Sequence, residues 1–488
     1  MGVILVLMSF LSDVDVIFFQ PAVGRQYGVI SLGFLTLSSF LRKNGYSSRI
    51  VALSGKDTVG TVTKKINQFK PKVVCVSLHW YIHSYESLKI AEAVKKADSS
   101  MKVVVGGHTS THFDQQILKF SPNIDLLIKG DGEKPLLDYI STLEPEKVEN
   151  ASYRIGDAII SKPVTYRQLS LENLTASQEN MGEMIDEWDE YLKATRIRTS
   201  APIPSGKIVE EVFTNPNEFY LFLGKGCNYN CCFCGTSKTG LTRIFHRGYA
   251  LFRPVEDVVK DAENLKKNGV ENLFVDFGPF QDELFFKKLF GELAKLELDI
   301  TFLPWNLPSN ELISQVGESF RNFEIQISPD TGSESLRSSL FDKGFHRQFY
   351  SNAELVNRIE NISEVGSSRG AQLFLWFICG LPFETDADYL ETVKLAVEMK
   401  KRFPHLFRKP QDQLNCVPLR LTPGAPVDLW PEKFGMRKFR STFEEYYEYC
   451  RQMEFGGIKH PLGLERLDLS EAAIVKRSEE FKDIINNA

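Results

Sequence analysis

The chain has 488 residues, 43% of them hydrophobic and 25% charged, with a formal net charge of −5. This is the make-up of an ordinary globular protein of two or three domains, and the net charge gives no reason to expect a nucleic-acid partner, which usually leaves a basic patch or stripe. A disulfide framework is not expected, because disulfides mark small secreted domains and this chain is neither small nor visibly secreted; no charge-free apolar run reaches about 18 residues, so no membrane span is expected.

The N-terminal run MGVILVLMSFLSDVDVIFF has no basic start and is interrupted by Asp13 and Asp15. It reads as a first buried strand rather than a signal peptide, with the cytoplasm as the default compartment. Over residues 1–143, short apolar runs at Val3–Met8, Arg49–Leu53, Val73–Leu78, Val103–Gly107 and Asp125–Lys129 alternate with amphipathic stretches. Continuous apolar strands separated by helices predict a parallel, doubly wound sheet, with its ligand beyond the carboxyl ends of the strands. The loops at those ends read Ser77-Leu78-His79-Trp80, Gly106-Gly107-His108-Thr109 and Gly130-Asp131-Gly132-Glu133. Glycines there let the backbone come close to a bulky ligand.

Residues 144–218 read as a connector. It holds a small hairpin turning at Gly156-Asp157 and an acidic helical stretch, Met181–Ala194, and no chemistry is assigned to it. A second alternating set follows over residues 219–426. Its strands are expected at Phe219–Leu223, Asn272–Phe277, Ile300–Leu303, Phe323–Ser328, Gln372–Ile378 and Gln413–Leu421. Six such units predict an open, partial barrel whose chemistry sits at the carboxyl ends of its strands. The first of those ends carries GKGCNYNCCFCGT, with Cys227, Cys231 and Cys234 spaced Cys-x-x-x-Cys-x-x-Cys. Three soft thiolates can hold an iron–sulfur cluster and leave one iron open, or hold a structural zinc with a fourth ligand from elsewhere. Cys232 falls outside the spacing and reads as a bystander. Residues 427–488 form an aromatic and charged tail, read as helical.

The cysteine spacing resembles the signature of the radical S-adenosylmethionine (SAM) enzymes, and the Ser and Gly-Gly loops ahead of it look like the cobalamin-binding domain of their cobalamin-dependent branch. The resemblance implies a Rossmann-like cobalamin domain followed by a partial (β/α)6 barrel. It places a 4Fe–4S cluster on Cys227, Cys231 and Cys234, and cobalamin against Ser77, Leu78, Gly106, Gly107, His108, Thr109, Gly130 and Gly132. It places SAM against Phe233 near adenine, against Gly278 and Pro279 in a partial Gly-Gly-Glu-Pro segment, against Ser328, Asp330 and Ser333, and against Cys379 and Gly380 after the fifth strand. Ser333 reads equally as the N-cap of the next helix. The first loop, SFLSDVDVIFFQPAVGRQYG, has no histidine to place on cobalt, and His79, His83 and His108 read as polar residues at the pocket rim.

The activity implied is radical methylation of an unactivated carbon or phosphorus centre in a small molecule, with a flavodoxin or ferredoxin as reductant and neither a nucleic acid nor a membrane as partner. Relatives that cyclise or rearrange, an enzyme that has lost cobalamin, and a cobalamin sensor with a zinc loop are the alternatives.

Overall fold

The computed structural model describes residues 13–22, 28–54, 57–194, 215, 217–278, 283–408 and 413–488. Seven strands form the first sheet: β1 Val16–Gln20, β2 Ser48–Ala52, β3 Val73–Ser77, β4 Lys102–Gly106, β5 Leu126–Ile128, β6 Ala151–Ile155 and β7 Ala158–Ser161. They lie in the order β2-β1-β3-β4-β5-β6-β7. Strands β1 to β5 pair in parallel, and the hairpin β6–β7 closes the edge in antiparallel register. Every residue of VIFFQ and VVCVS is buried, as expected of strands covered on both faces.

The expected strand Val3–Met8 lies outside the described residues, and β1, second from the edge of the sheet, falls in a segment that the sequence pattern reads as the following loop. Asp13 and Asp15 mark its entry rather than a break. The Asp15 carboxylate accepts from the Ser47 backbone N–H at 2.9 Å and from Lys72 Nζ at 2.7 Å, fixing the start of β1 between its neighbours. The hairpin turning at Gly156-Asp157 is present, and it extends the first sheet. The acidic stretch of the connector is two short helices, Met181–Met184 and Trp188–Lys193, broken where Glu187 adopts a φ of 53°. Lys65 of the first domain pairs there with Asp186 and Glu187.

The second sheet holds six parallel strands in chain order: β8 Glu218–Tyr220, β9 Asn272–Asp276, β10 Asp299–Leu303, β11 Asn322–Asp330, β12 Gly370–Cys379 and β13 Leu414–Pro418. Helices cross between successive strands, and two of them directly follow candidate-site segments: Lys238–Phe245, which was not expected, and Glu334–Asp342, the helix that Ser333 caps. The tail divides in two. Helix Phe443–Phe455 packs on the first domain, with the Tyr446 ring 5.2 Å from Tyr81 and 5.6 Å from Phe113. Helix Glu471–Asn487 lies instead against β12 and β13 of the barrel. Among the described residues, no helix is long and apolar enough to cross a membrane.

Candidate active site between the two sheets

The cysteine loop leaves β8 through buried Leu221–Leu223 and a two-residue ribbon, Gly224–Lys225, paired with Leu251–Phe252. It ends at helix Lys238–Phe245, where Ser237 caps Gly240 N. Gly226 has a φ of 94°, and a Cβ there would stand 2.3 Å from the Tyr249 carbonyl oxygen, so the turn into Cys227 requires glycine. The Tyr229 backbone N–H donates to Cys227 Sγ at 3.3 Å, and Cys234 Sγ shares a hydrogen bond with Thr236 Oγ1 at 3.2 Å. Cys232 behaves otherwise. It is wholly buried among apolar side chains, its N–H donates to the Phe345 carbonyl, and its own carbonyl accepts from Val427 N.

Burial pushes the Cys227 thiol up to about 11 and Cys231 up to about 12, with Arg347 acting against it at both. Loading a metal centre therefore displaces protons from these thiols. Among the described residues, no three Cys, His, Asp or Glu side chains converge on a single-ion site, the cysteine triad included. Three thiols on one short loop are the kind of donor set that suits a cluster with one iron left open.

Beneath the loop lies an arginine that the spacing did not reveal. Arg347 Nη1 donates to Asp330 Oδ2 at 2.8 Å, and its other amino group reaches the Ser328 carbonyl. His346 Nε2 meets the same Asp330 oxygen at 2.8 Å. Burial alone would raise the Asp330 carboxyl, but Arg347 and His346 outweigh it and hold the group below the usual carboxylate range. Ser328 and Asp330, expected to meet SAM, here carry a buried cation whose charge acts on Cys227, Cys231 and Cys234.

The other SAM candidates are dispersed. Ser333 is the N-cap of helix Glu334–Asp342, and its hydroxyl donates to Asp388. Gly278 sits against Trp305, where a Cβ would fall 2.9 Å from the Trp305 nitrogen. Phe233 is half-buried against the core that holds Cys232, and Pro279 lies outside the described residues. The Cys379 thiol points out of the barrel, donating to the Ile474 carbonyl of the tail helix at 3.5 Å. Gly380 follows with a φ of 79°, its N–H donating to Glu384 at 2.8 Å.

A cavity of about 470 Å³ separates the carboxyl ends of the first sheet from the cysteine loop. Ser77, Gly106, Gly107, His108, Gly130 and Gly132 line it from one side, and Cys227 and Thr236 from the other. Two expected contacts turn away. Leu78 is fully buried in the core, and the Thr109 hydroxyl donates to the His79 carbonyl.

Gly107 lets two loops cross: its φ is 125°, and a Cβ would lie 2.6 Å from His79 Cα. Gly107→Ala is expected to cost about 1–3 kcal/mol in backbone strain and to weaken corrinoid binding by at least about tenfold, measured by absorbance titration with hydroxocobalamin. Glu133 Oε2 is buried, lines the cavity wall and has no hydrogen-bond partner among the described residues. An acceptor of this kind suits the amide groups around a corrin rim, so glycine cradle and orphan acceptor together fit cobalamin.

Two ties hold the cavity's halves together. His108 Nε2 lies 3.1 Å from the Gly235 carbonyl. Burial lowers the His108 imidazole to about 3, so the ring is neutral and, facing a carbonyl, carries its proton on Nε2. The second tie is ionic: Lys225 of the cysteine loop pairs with Glu133 at 2.5 Å, and Arg247 pairs with Asp131. The acids were visible in Gly130-Asp131-Gly132-Glu133, but their partners lie far along the chain.

Comparison with known proteins agrees with this geometry. The radical SAM superfamily is matched over residues 221–396, and the B12 binding domain over residues 24–140. The anaerobic magnesium-protoporphyrin IX monomethyl ester cyclase of Rubrivivax gelatinosus is 25% identical over 277 residues, covering 54% of this chain and 44% of that protein. A tRNA-2-methylthio-N(6)-dimethylallyladenosine synthase of a Marinomonas species is 23% identical over 244 residues, covering 47% of this chain and 50% of that protein. The chain thus spans about half the length of the curated relatives it matches.

Among solved structures, the radical S-adenosylmethionine methyltransferase TsrM of Kitasatospora setae, with cobalamin and a 4Fe–4S cluster bound, aligns over 97% of this chain and 89% of that one. The TM-score is 0.61 at 15% identity. The cobalamin-dependent S-adenosylmethionine radical enzyme OxsB, with aqua-cobalamin bound, aligns over 88% of this chain and 62% of that one, with a TM-score of 0.60 at 13% identity. At such identities the likeness is one of fold. A B12 binding domain set ahead of a radical SAM domain, facing it across one cavity, places this chain among the cobalamin-dependent radical SAM enzymes, whose cofactors are a 4Fe–4S cluster, SAM and cobalamin.

Proposed function

We propose that the chain is a methyltransferase acting on an unactivated carbon or phosphorus centre of a small molecule. The observation that carries this reading is the single cavity shared by the glycine loops of the first sheet and by Cys227. A methyl donor and a radical source facing one enclosed space suit transfer to a centre held between them. When bound, the cluster supplies the electron that splits SAM, and the corrinoid supplies the methyl group.

The chain's own residues hold, orient and shield. Cys227, Cys231 and Cys234 grip the cluster, and Arg347 keeps a fixed positive charge beside them. Tyr220, Phe222, Phe277 and Trp305 line the barrel side of the cavity and keep water from an apolar reacting centre. The electron comes from an external flavodoxin or ferredoxin in the cytoplasm.

Likeness to a cyclase supports a second reading, in which the same radical closes a ring without methyl transfer. One experiment separates them. The anaerobically reconstituted enzyme is given SAM with a labelled methyl group, a reductant and candidate substrates. Methyl transfer predicts labelled product with a mass gain of one methyl; a cyclase predicts 5′-deoxyadenosine and an unlabelled product.

A further inference from the structure

We propose that His79 is the protein's axial ligand to the cobalt of the bound corrinoid. The proposal rests on the corrinoid reading of the first domain and adds to it a metal–ligand bond. His79 stands on the loop after β3, and its ring lines the cavity beside Ser77 and Gly107. The ring is held by aromatic contacts alone: edge-on to Trp80 at 4.5 Å, and at 6.3 Å from the His108 ring. Its nitrogens make no hydrogen bond to any described residue, so the cavity face of the ring is left to a ligand.

The neighbouring histidines are placed differently. All three line the cavity, but His108 is held to Gly235 through Nε2 and His83, in the turn Tyr81–His83, is 1% exposed, whereas His79 is half-exposed.

Imidazole nitrogen is a borderline donor well matched to a cobalt centre. A neutral imidazole presents the lone pair of one ring nitrogen to a metal. The step is a ligand exchange. The lone pair of one His79 nitrogen forms a bond to cobalt, the cofactor's own benzimidazole nitrogen or a water leaves that axial position, and no electron or proton is transferred. The opposite axial position stays available for a methyl group. A histidine from the loop after the third strand would thus take the part for which the first loop offers none.

The test is the electron paramagnetic resonance spectrum of cob(II)alamin bound to the full chain grown with histidine labelled in the heavier nitrogen isotope. Ligation by histidine predicts that each high-field cobalt line is split into a doublet in the labelled protein and a triplet in the unlabelled one, with loss of the doublet in His79→Ala and His79→Gln but not in His83→Ala. A triplet that persists in the labelled protein means that the cofactor's own base occupies cobalt, and unsplit lines mean that no nitrogen does; either result overturns the proposal while leaving corrinoid binding intact. A doublet that survives both His79 variants assigns the bond elsewhere and also overturns it. Failure of the unmutated chain to bind cobalamin sinks this proposal and the corrinoid reading together. Because the labelling is read on the unmutated chain, the first result does not depend on the variants folding.

Discussion

Cys227→Ala, Cys231→Ala and Cys234→Ala are each expected to abolish cluster assembly, whereas Cys232→Ala retains it. Iron and sulfide content per chain, with the visible absorption band of the reconstituted protein, is the measurement. The contrast follows from where the four thiols lie. Cys227 lines the cavity and both it and Cys234 are half-buried, while Cys232 is fully buried in an apolar cluster. Its structural work is done by its backbone, bonded to Phe345 and Val427, which alanine preserves. Removing its sulfur is expected to cost about 1 kcal/mol, the ordinary price of a core truncation, and should lower the melting temperature slightly without bleaching the cluster. If Cys232→Ala alone loses its iron, the ligand register is displaced by one residue.

The largest stability effect is expected at Arg253→Ala. Arg253 is almost completely buried, with Nη1 donating to Asp261 Oδ2 at 2.8 Å and to the Phe222 carbonyl at 2.7 Å. Asp261 also accepts from Ser177 Oγ at 2.8 Å and from the Ala176 N–H at 3.1 Å. One ion pair thus joins the strand end before the cysteine loop, the first barrel helix and the connector. Removing the guanidinium leaves a buried carboxylate without its counter-ion, a change that costs about 3–5 kcal/mol. Replacing both partners with apolar residues of similar volume, Arg253→Met with Asp261→Leu, is expected to recover part of that loss, because the unpaired charge disappears with its partner. Denaturant unfolding of the single and double variants measures the difference.

The alternation of apolar runs with amphipathic stretches made both sheets legible, because a parallel strand buried on both faces has to be apolar throughout. The cysteine spacing was legible for a related reason: its three cysteines sit on one short loop. Three features resisted. Strand β1 was displaced because Asp13 and Asp15 look like an interruption, and only the folded neighbours Ser47 and Lys72 show that Asp15 anchors the strand's start. Arg347 follows Asp330 by 17 residues, across a helix that no strong periodicity announced. Lys225 stands in plain view two residues before Cys227, but its partner Glu133 is 92 residues away; pairing over such a distance leaves no local trace. Cys379 and Ser333 show the opposite case. Each occupies a position where a ligand contact was expected, and each side chain is engaged by the surrounding fold, one by the tail helix and one by a cap and Asp388.

The divided tail has a bearing on how the enzyme is made. Helix Phe443–Phe455 rests on the first domain, and helix Glu471–Asn487 on the barrel. Both follow the two domains in sequence, so a ribosome completes each half before it supplies the strap that spans them. During synthesis the first domain therefore passes through a stage in which its glycine loops are formed and its partner face is still uncovered. A large planar cofactor is expected to reach the cavity most freely at that stage, before these two helices pack on the halves.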